Sequence, residues 1–266
     1  MACTSSMDMD FVASYLSLQE KKDSQLCVGI DPAYPGLRPR QTITSHGDPP
    51  RDILDFSSTI IDETGPYAAC FKPNLQYIHP LGIEELSELN DRIHEQNALS
   101  ILDVKLSDIG TSNDACCFWA HECGFDAITA SPFPGNIEAL WASCSARDLG
   151  LFLLCLMSNP EADMFMKARL GKEYAYERIA REIESNGITG AVIGATISEE
   201  DRMRLVNTLT SRLVLVPGIG AQKGSFGVVE SFGRRCVVNV SRDVIFSDDP
   251  AARARSYRDM IRDIVS

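Results

Sequence analysis

"ILDVKLSDIG", residues 101–110, begins as a strand bound for a protein interior and then sets Asp103, Lys105 and Asp108 where that strand emerges. A short continuous apolar run of this kind suits a parallel strand buried on both faces. Similar runs rich in Val, Ile, Leu and Cys recur at 25–30 (QLCVGI), 67–72 (YAACFK), 99–104 (LSILDV), 126–130 (DAITA), 151–156 (LFLLCL), 189–194 (TGAVIG), 212–216 (RLVLV) and 236–241 (CVVNVS). Amphipathic helix candidates separate them at 52–64, 82–96, 112–123, 136–146, 172–185, 198–208 and 225–232. Two more, at 8–22 and 250–265, bracket the series. SEEDRMRLVNTL shows the pattern of such a helix start, with a Ser to cap it and acids at the positive end of its dipole. Eight βα units in 266 residues, with no Gly- or Ser-rich linker, predict an α/β chain folded as one (β/α)8 TIM barrel. A doubly wound open sheet is the rival topology.

The bulk composition narrows the function classes. Hydrophobic residues make up 44% and charged residues 23%, enough to bury a sizeable core. Lys and Arg total 25 against 37 Asp and Glu, a formal charge of −12, which repels phosphate backbones and anionic lipid on average. Neither nucleic acid nor a membrane is therefore expected as a partner, and an anionic substrate would need a local island of positive charge. The nine cysteines are odd in number, scattered and without a C-x-x-C pair, which fits reduced thiols in a cytoplasmic protein. Cys27, Cys70, Cys155 and Cys236 lie in apolar runs, where a thiol acts as a small hydrophobe. MACTSSMDMD lacks a basic n-region and a long apolar h-region, and LFLLCLM is too short to cross a bilayer.

Pro- and Gly-rich pieces at 31–39, 46–50, 131–136 and 217–227 fall after strands, and it is the loops at the carboxyl ends of strands that build the sites of barrel enzymes. Alternation along a strand puts Asp103 and Lys105 on one face, with Leu102 and Val104 on the other. An isolated D-x-K is ordinarily a structural ion pair. Here, however, GIDP also ends the first strand with Asp31, and CFKPN ends the second with Lys72. Three consecutive strands thus deliver acid, base, acid and base to one rim, where each charge holds its neighbour ionised. On the far side, LVPGIGAQKGSFG follows the seventh strand and Ser241-Arg242 the eighth. Glycines let backbone N–H groups approach an oxyanion, and Arg242 can fork onto a phosphate.

These segments, GIDP, FKPN, DVKLSDIG, MSNP, PGIGAQ and NVSRDVIF in that order, resemble the orotidine 5′-monophosphate decarboxylase family across nearly the whole chain. KPN, SNP and SRDVIF look most like its bacterial-type branch, which also occurs in some protozoa. The resemblance implies decarboxylation of orotidine 5′-monophosphate (OMP) to uridine 5′-monophosphate (UMP) in pyrimidine biosynthesis, without metal or cofactor. Lys105 would protonate C6 as CO2 leaves, and Asp103 would crowd the substrate carboxylate. Asp108 and Ser112 would reach the site from the partner subunit of a homodimer. Lys72 and Asp31 would complete the charged network and contact the ribose. Ser158 would bind the pyrimidine, with Ile109, Pro217 and Gly218 lining its surroundings, and Gln222, Ser241 and Arg242 would hold the phosphate. The loop 218–227 would close over the ligand. The chain departs from the family's D-I-G-N-T at Ser112, which keeps the hydroxyl and loses a methyl.

Two rivals share parts of this pattern. Metal-dependent sugar-phosphate decarboxylases of the same suprafamily resemble it through D-x-K-x-x-D, but carry an acidic ligand where this chain has Lys72, and an ammonium there repels a divalent ion. A barrel that only binds nucleotide would need the phosphate loops but not the alternating charges. Other conspicuous residues have plainer readings. His46, His79, His94 and His121 lack metal-ligand spacing. Cys116-Cys117 reads as helix packing, and Trp119 and Trp141 as core or interface.

Overall fold

The computed structural model describes residues 10–220 and 226–266. Eight parallel strands among them close a barrel: β1 (Leu26–Ile30), β2 (Cys70–Pro73), β3 (Leu99–Leu106), β4 (Ala127–Ala130), β5 (Gly150–Leu156), β6 (Gly190–Ile193), β7 (Leu213–Pro217) and β8 (Cys236–Val240). Each pairs with its sequence neighbours, and β1 pairs with β8, joining Leu26 to Val238 and Val28 to Val240. The barrel, rather than the open sheet, is the fold.

The helix α1 (Phe11–Lys22) precedes β1, and the outer ring consists of α2 (Pro49–Thr64), α3 (Ile83–Glu95), α4 (Gly110–Glu122), α5 (Ile137–Ser145), α6 (Ala175–Ser185), α7 (Glu199–Thr208), α8 (Gly227–Phe232) and α9 (Pro250–Val265). Several starts are written locally. Asp48 caps α2 by accepting from Arg51 N, and Pro49 and Pro50 begin it, three residues earlier than periodicity predicts. Asp249 accepts from Ala252 N ahead of Pro250, and Ser198 from Asp201 N. Proline at the first position gives up an N–H that a helix start leaves unpaired anyway. No described helix is long and apolar enough to cross a membrane.

Side chains sort cleanly between two cores. One lies between the sheet and its helices; the other fills the barrel with Cys27, Cys70, Ile101, Ala127, Phe152, Leu154, Val192, Leu213, Leu215 and Val237. The helix α1 closes the lower end: Phe11 packs edge-on to Phe152, and Tyr15 donates to the Cys236 carbonyl at 2.5 Å. Phe152 fits because Gly190 faces it, where a Cβ would come within 2.7 Å of its ring. A barrel bottom so filled leaves only the carboxyl ends of the strands open for chemistry.

Two further features depart from the sequence expectation. Residues 160–174 form a 3-10 turn (Pro160–Ala162), a helical turn (Asp163–Met166) and a two-stranded hairpin pairing Arg169 with Tyr174, so α6 starts at Ala175 rather than near 172. And β3 runs two residues past its predicted end, through a bulge: its register on β4 is Ile101 to Ala127 and Leu102 to Ile128, then Leu106 to Ala130.

Candidate active site

The bulge falls on the residues that the opening stretch singles out. Three β3 residues, Asp103, Val104 and Lys105, stand where β4 offers Thr129 alone, and Lys105 absorbs the mismatch with φ +51°, a left-handed conformation that costs a non-glycine residue about 1–2 kcal/mol. Asp103 and Lys105 do meet on one side of the strand. The backbone turn at Lys105, not simple alternation, brings them there.

Asp103 is the hub. Its Oδ2 accepts from Lys72 Nζ at 2.5 Å, and its Oδ1 from Lys105 Nζ at 2.7 Å and Thr129 Oγ1 at 2.9 Å. Burial opposes its ionisation, but the charges of Lys72 and then Lys105, with the hydrogen bonds both donate, hold its carboxyl well below the usual carboxylate range. Burial likewise works against the Lys72 ammonium, and the charges of Asp103 and Asp31 more than offset it, so its pKa rises. The side chains of Lys72 and Asp103 are 7% and 10% exposed, that of Lys105 40%. The triplet therefore contains two sealed charges and one ammonium that faces the open mouth.

Asp31, at the end of β1, joins this cluster indirectly. Its carboxylate accepts from Asn74 Nδ2 at 2.9 Å and from Ser241 Oγ, and Arg38 clamps its carbonyl at 2.7 Å. Asn74 sits just past β2 and bridges back to Asp103 through the backbone. Ser241, expected on the phosphate, here orients Asp31 from β8. Ser158, after β5, packs against Gly194, where any Cβ would fall 2.7 Å from the serine Cβ; only glycine admits it. Pro217 ends β7, its carbonyl accepting from Ala195 N at 3.1 Å, and Gly218 follows with φ +99°. Gln222 lies outside the described residues, as does part of the expected lid at 218–227. Arg242 is exposed, lines an open groove of about 570 Å³ with Gln41, Ser247 and Arg253, and forms no ion pair with a described residue.

Asp108, Ile109 and Ser112 stand apart. All three are exposed beyond the end of β3 and the start of α4, and Asp108 makes no ion pair with any described residue, accepting only from Ile109 N through its side chain. Two participants were not singled out by sequence. Thr129 is a lone polar residue at an inward position of the short strand AITA, and Asn74 directly follows FKP; polarity at a strand's inner face or its carboxyl end was the available signal.

Known proteins share this fold and about a third of this sequence. The chain is 35% identical over 283 residues to the orotidine 5′-phosphate decarboxylase of Paracidovorax citrulli, with 97% of this chain and 98% of that protein covered. It is 32% identical over 275 residues to that of an Azoarcus species, covering 97% and 99%. The solved Leishmania donovani OMP decarboxylase superposes with a TM-score of 0.77 at 28% identity, covering 96% of this chain and 98% of that one. The model of the orotidine 5′-phosphate decarboxylase / HUMPS family matches residues 24–257, and by that match and these relatives the chain belongs to this family.

Proposed function

We propose that the chain converts OMP to UMP and CO2, the decarboxylation that completes de novo pyrimidine nucleotide synthesis, and that Lys105 is its proton donor. The observation that carries this reading is the buried Lys72–Asp103 pair with Lys105 attached and facing the mouth. Loss of CO2 leaves the C–C bonding pair on C6 of the pyrimidine. An ammonium fixed beside that carbon stabilises the developing carbanion and then gives it a proton, so the enzyme favours the transition state over the substrate. Asp103, kept ionised, would face the departing carboxylate while binding energy from the distant phosphate holds the nucleotide in place. Arg242, exposed and without an ion pair among the described residues, is suited to that dianion, and Ser158 to the pyrimidine.

The family also includes sugar-phosphate decarboxylases that use a divalent ion. At the carboxyl end of β2 this chain presents the Lys72 ammonium, and Asp103 already accepts from three donors, two of them ammonium groups, a set unsuited to such an ion. The eight described cysteines are free thiols, which fits the reducing cytoplasm.

The site works as a homodimer in this reading. Asp108 and Ser112 are exposed at the rim, and beside them Ile109, Phe133 and Phe165 expose 63%, 78% and 61% of their surfaces, a patch that a second copy would cover. Asp108 would then enter the neighbour's site.

The test is the ultraviolet band of OMP, followed with folded wild type and Lys105→Ala. Decarboxylation by the wild type, reduced about 10⁴-fold or more in the variant with UMP still bound, is the expected result. A folded wild type that leaves OMP unchanged rejects the assignment.

A further inference from the structure

Lys105 can act on C6 only if its backbone, strained at φ +51°, stays in one conformation. The bulge removes the ladder partner that its N–H would have found on β4, since no register pair joins the two strands between Leu102 and Leu106. The hydroxyl of Thr129 supplies one: Lys105 N donates to Thr129 Oγ1 at 3.0 Å. Because that N–H can only donate, the hydroxyl's own hydrogen is directed elsewhere, and it goes to Asp103 Oδ1 at 2.9 Å. Thr129 is 1% exposed, so neither bond is exchanged for water.

We propose that Thr129 is a positioning residue for the decarboxylation, its single hydroxyl locking the backbone of Lys105 and the carboxylate of Asp103 together across the bulge. This rests on the reading of Lys105 as proton donor. The lock has a defined polarity: it accepts from the peptide of the proton donor and gives to the carboxylate that faces the substrate. Asp103 is thereby held by donors from three strands, Lys72 on β2, Lys105 on its own strand and Thr129 on β4, and cannot rotate. Without the hydroxyl, a buried N–H loses its partner and the left-handed turn loses the bond that compensates it, so Lys105 can relax away from the carbon it must protonate. At 1% exposed, Thr129 acts through Lys105 and Asp103 rather than by contact with substrate.

Thr129→Val keeps the shape and removes both bonds, whereas Thr129→Ser keeps both bonds and removes a methyl. Steady-state turnover of OMP and calorimetric binding of UMP are measured for each. The expected outcome is a kcat lowered about 100-fold in Thr129→Val, the scale of a displaced catalytic group, with KM and UMP affinity within about threefold of wild type. Thr129→Ser should restore kcat to within about threefold of wild type. Wild-type turnover in Thr129→Val overturns the proposal. So does a serine variant as slow as the valine one, or a loss of UMP affinity that parallels the loss of kcat, since either marks a general structural role. If circular dichroism shows Thr129→Val unfolded, Thr129→Cys, close in volume and a weak hydrogen-bonding partner, takes its place with the same expectation. A folded wild type inactive on OMP would instead reject the reaction assignment before any variant is compared, and the proposal with it.

Discussion

Asp103 shows why the buried charges at this mouth are a poor source of net stability. A buried ion pair seldom repays the desolvation of both partners, yet removing one partner strands the other charge. Asp103→Asn would leave the Lys72 ammonium, 7% exposed, with an amide in place of its counter-charge. The variant should lose about 3–5 kcal/mol in urea unfolding at pH 7 along with most of its activity. The sign with pH follows from the depressed carboxyl. A group whose folded pKa lies below its unfolded value adds stability above the unfolded value and loses it as pH falls through the folded one. The gap between wild type and Asp103→Asn should therefore be full at neutral pH and begin to narrow below about pH 4. Lys72 behaves oppositely: its raised pKa adds stability that persists below the unfolded lysine value and is lost only in alkali, as pH rises through the folded one. A gap between wild type and variant that stays constant from pH 7 to pH 3 would contradict the coupling.

At the scale of elements, the lower end of the barrel carries its own titrating tie. His94 on α3 meets Asp126, just before β4, at 2.9 Å, and the same carboxylate accepts from Ser100 N and Oγ on β3. The hydrogen bond to Asp126 raises the His94 pKa against the opposing effect of burial, with the charges of Asp126 and Asp91 adding to the rise. A raised pKa stabilises the fold below the unfolded histidine value and ceases to do so as pH rises through the folded value. Urea melts of wild type and His94→Gln should accordingly differ more at pH 5.5 than at pH 8.5, and an equal difference at both would show that His94 acts only as a neutral donor. The same scale explains what the sequence disclosed. Parallel strands buried on both faces appear as apolar runs, so QLCVGI and CVVNVS could be placed within a residue or so, and charges at their carboxyl ends, Asp31, Lys72 and Asp103, marked the rim. The bulge could not be read in the same way, because it depends on how Lys105 answers β4 and on Thr129 filling the gap. The hairpin at 169–174 was equally silent, for strands of two residues have no period.

For the molecule as a whole, a formal charge of −12 means that a dianionic nucleotide meets an unfavourable average field, and in the proposed function Arg242 is the cation that offsets it locally. In that proposal one chain supplies only part of the site. Asp108 and Ser112 face outward from the rim, and Asp108 has no cationic partner among the described residues. In the dimer proposed above, each mouth takes Lys105 from one copy and Asp108 from the other, and an isologous pairing makes both sites alike. Complementation follows from that geometry. Homodimers of Lys105→Ala and of Asp108→Asn each lack one half of every site and should both be nearly inactive. In a mixed dimer, one site combines both lesions and the other is intact. Unfolding the two variants together in equal amounts and refolding them should produce mixed dimers as about half of the population, and so about a quarter of wild-type activity per chain. Refolding each alone and then assaying the pair together without exchange should give almost none. If co-refolded material shows no more activity than the separate variants, while sedimentation confirms that mixed dimers formed, Asp108 serves its own chain and the shared-site arrangement is wrong.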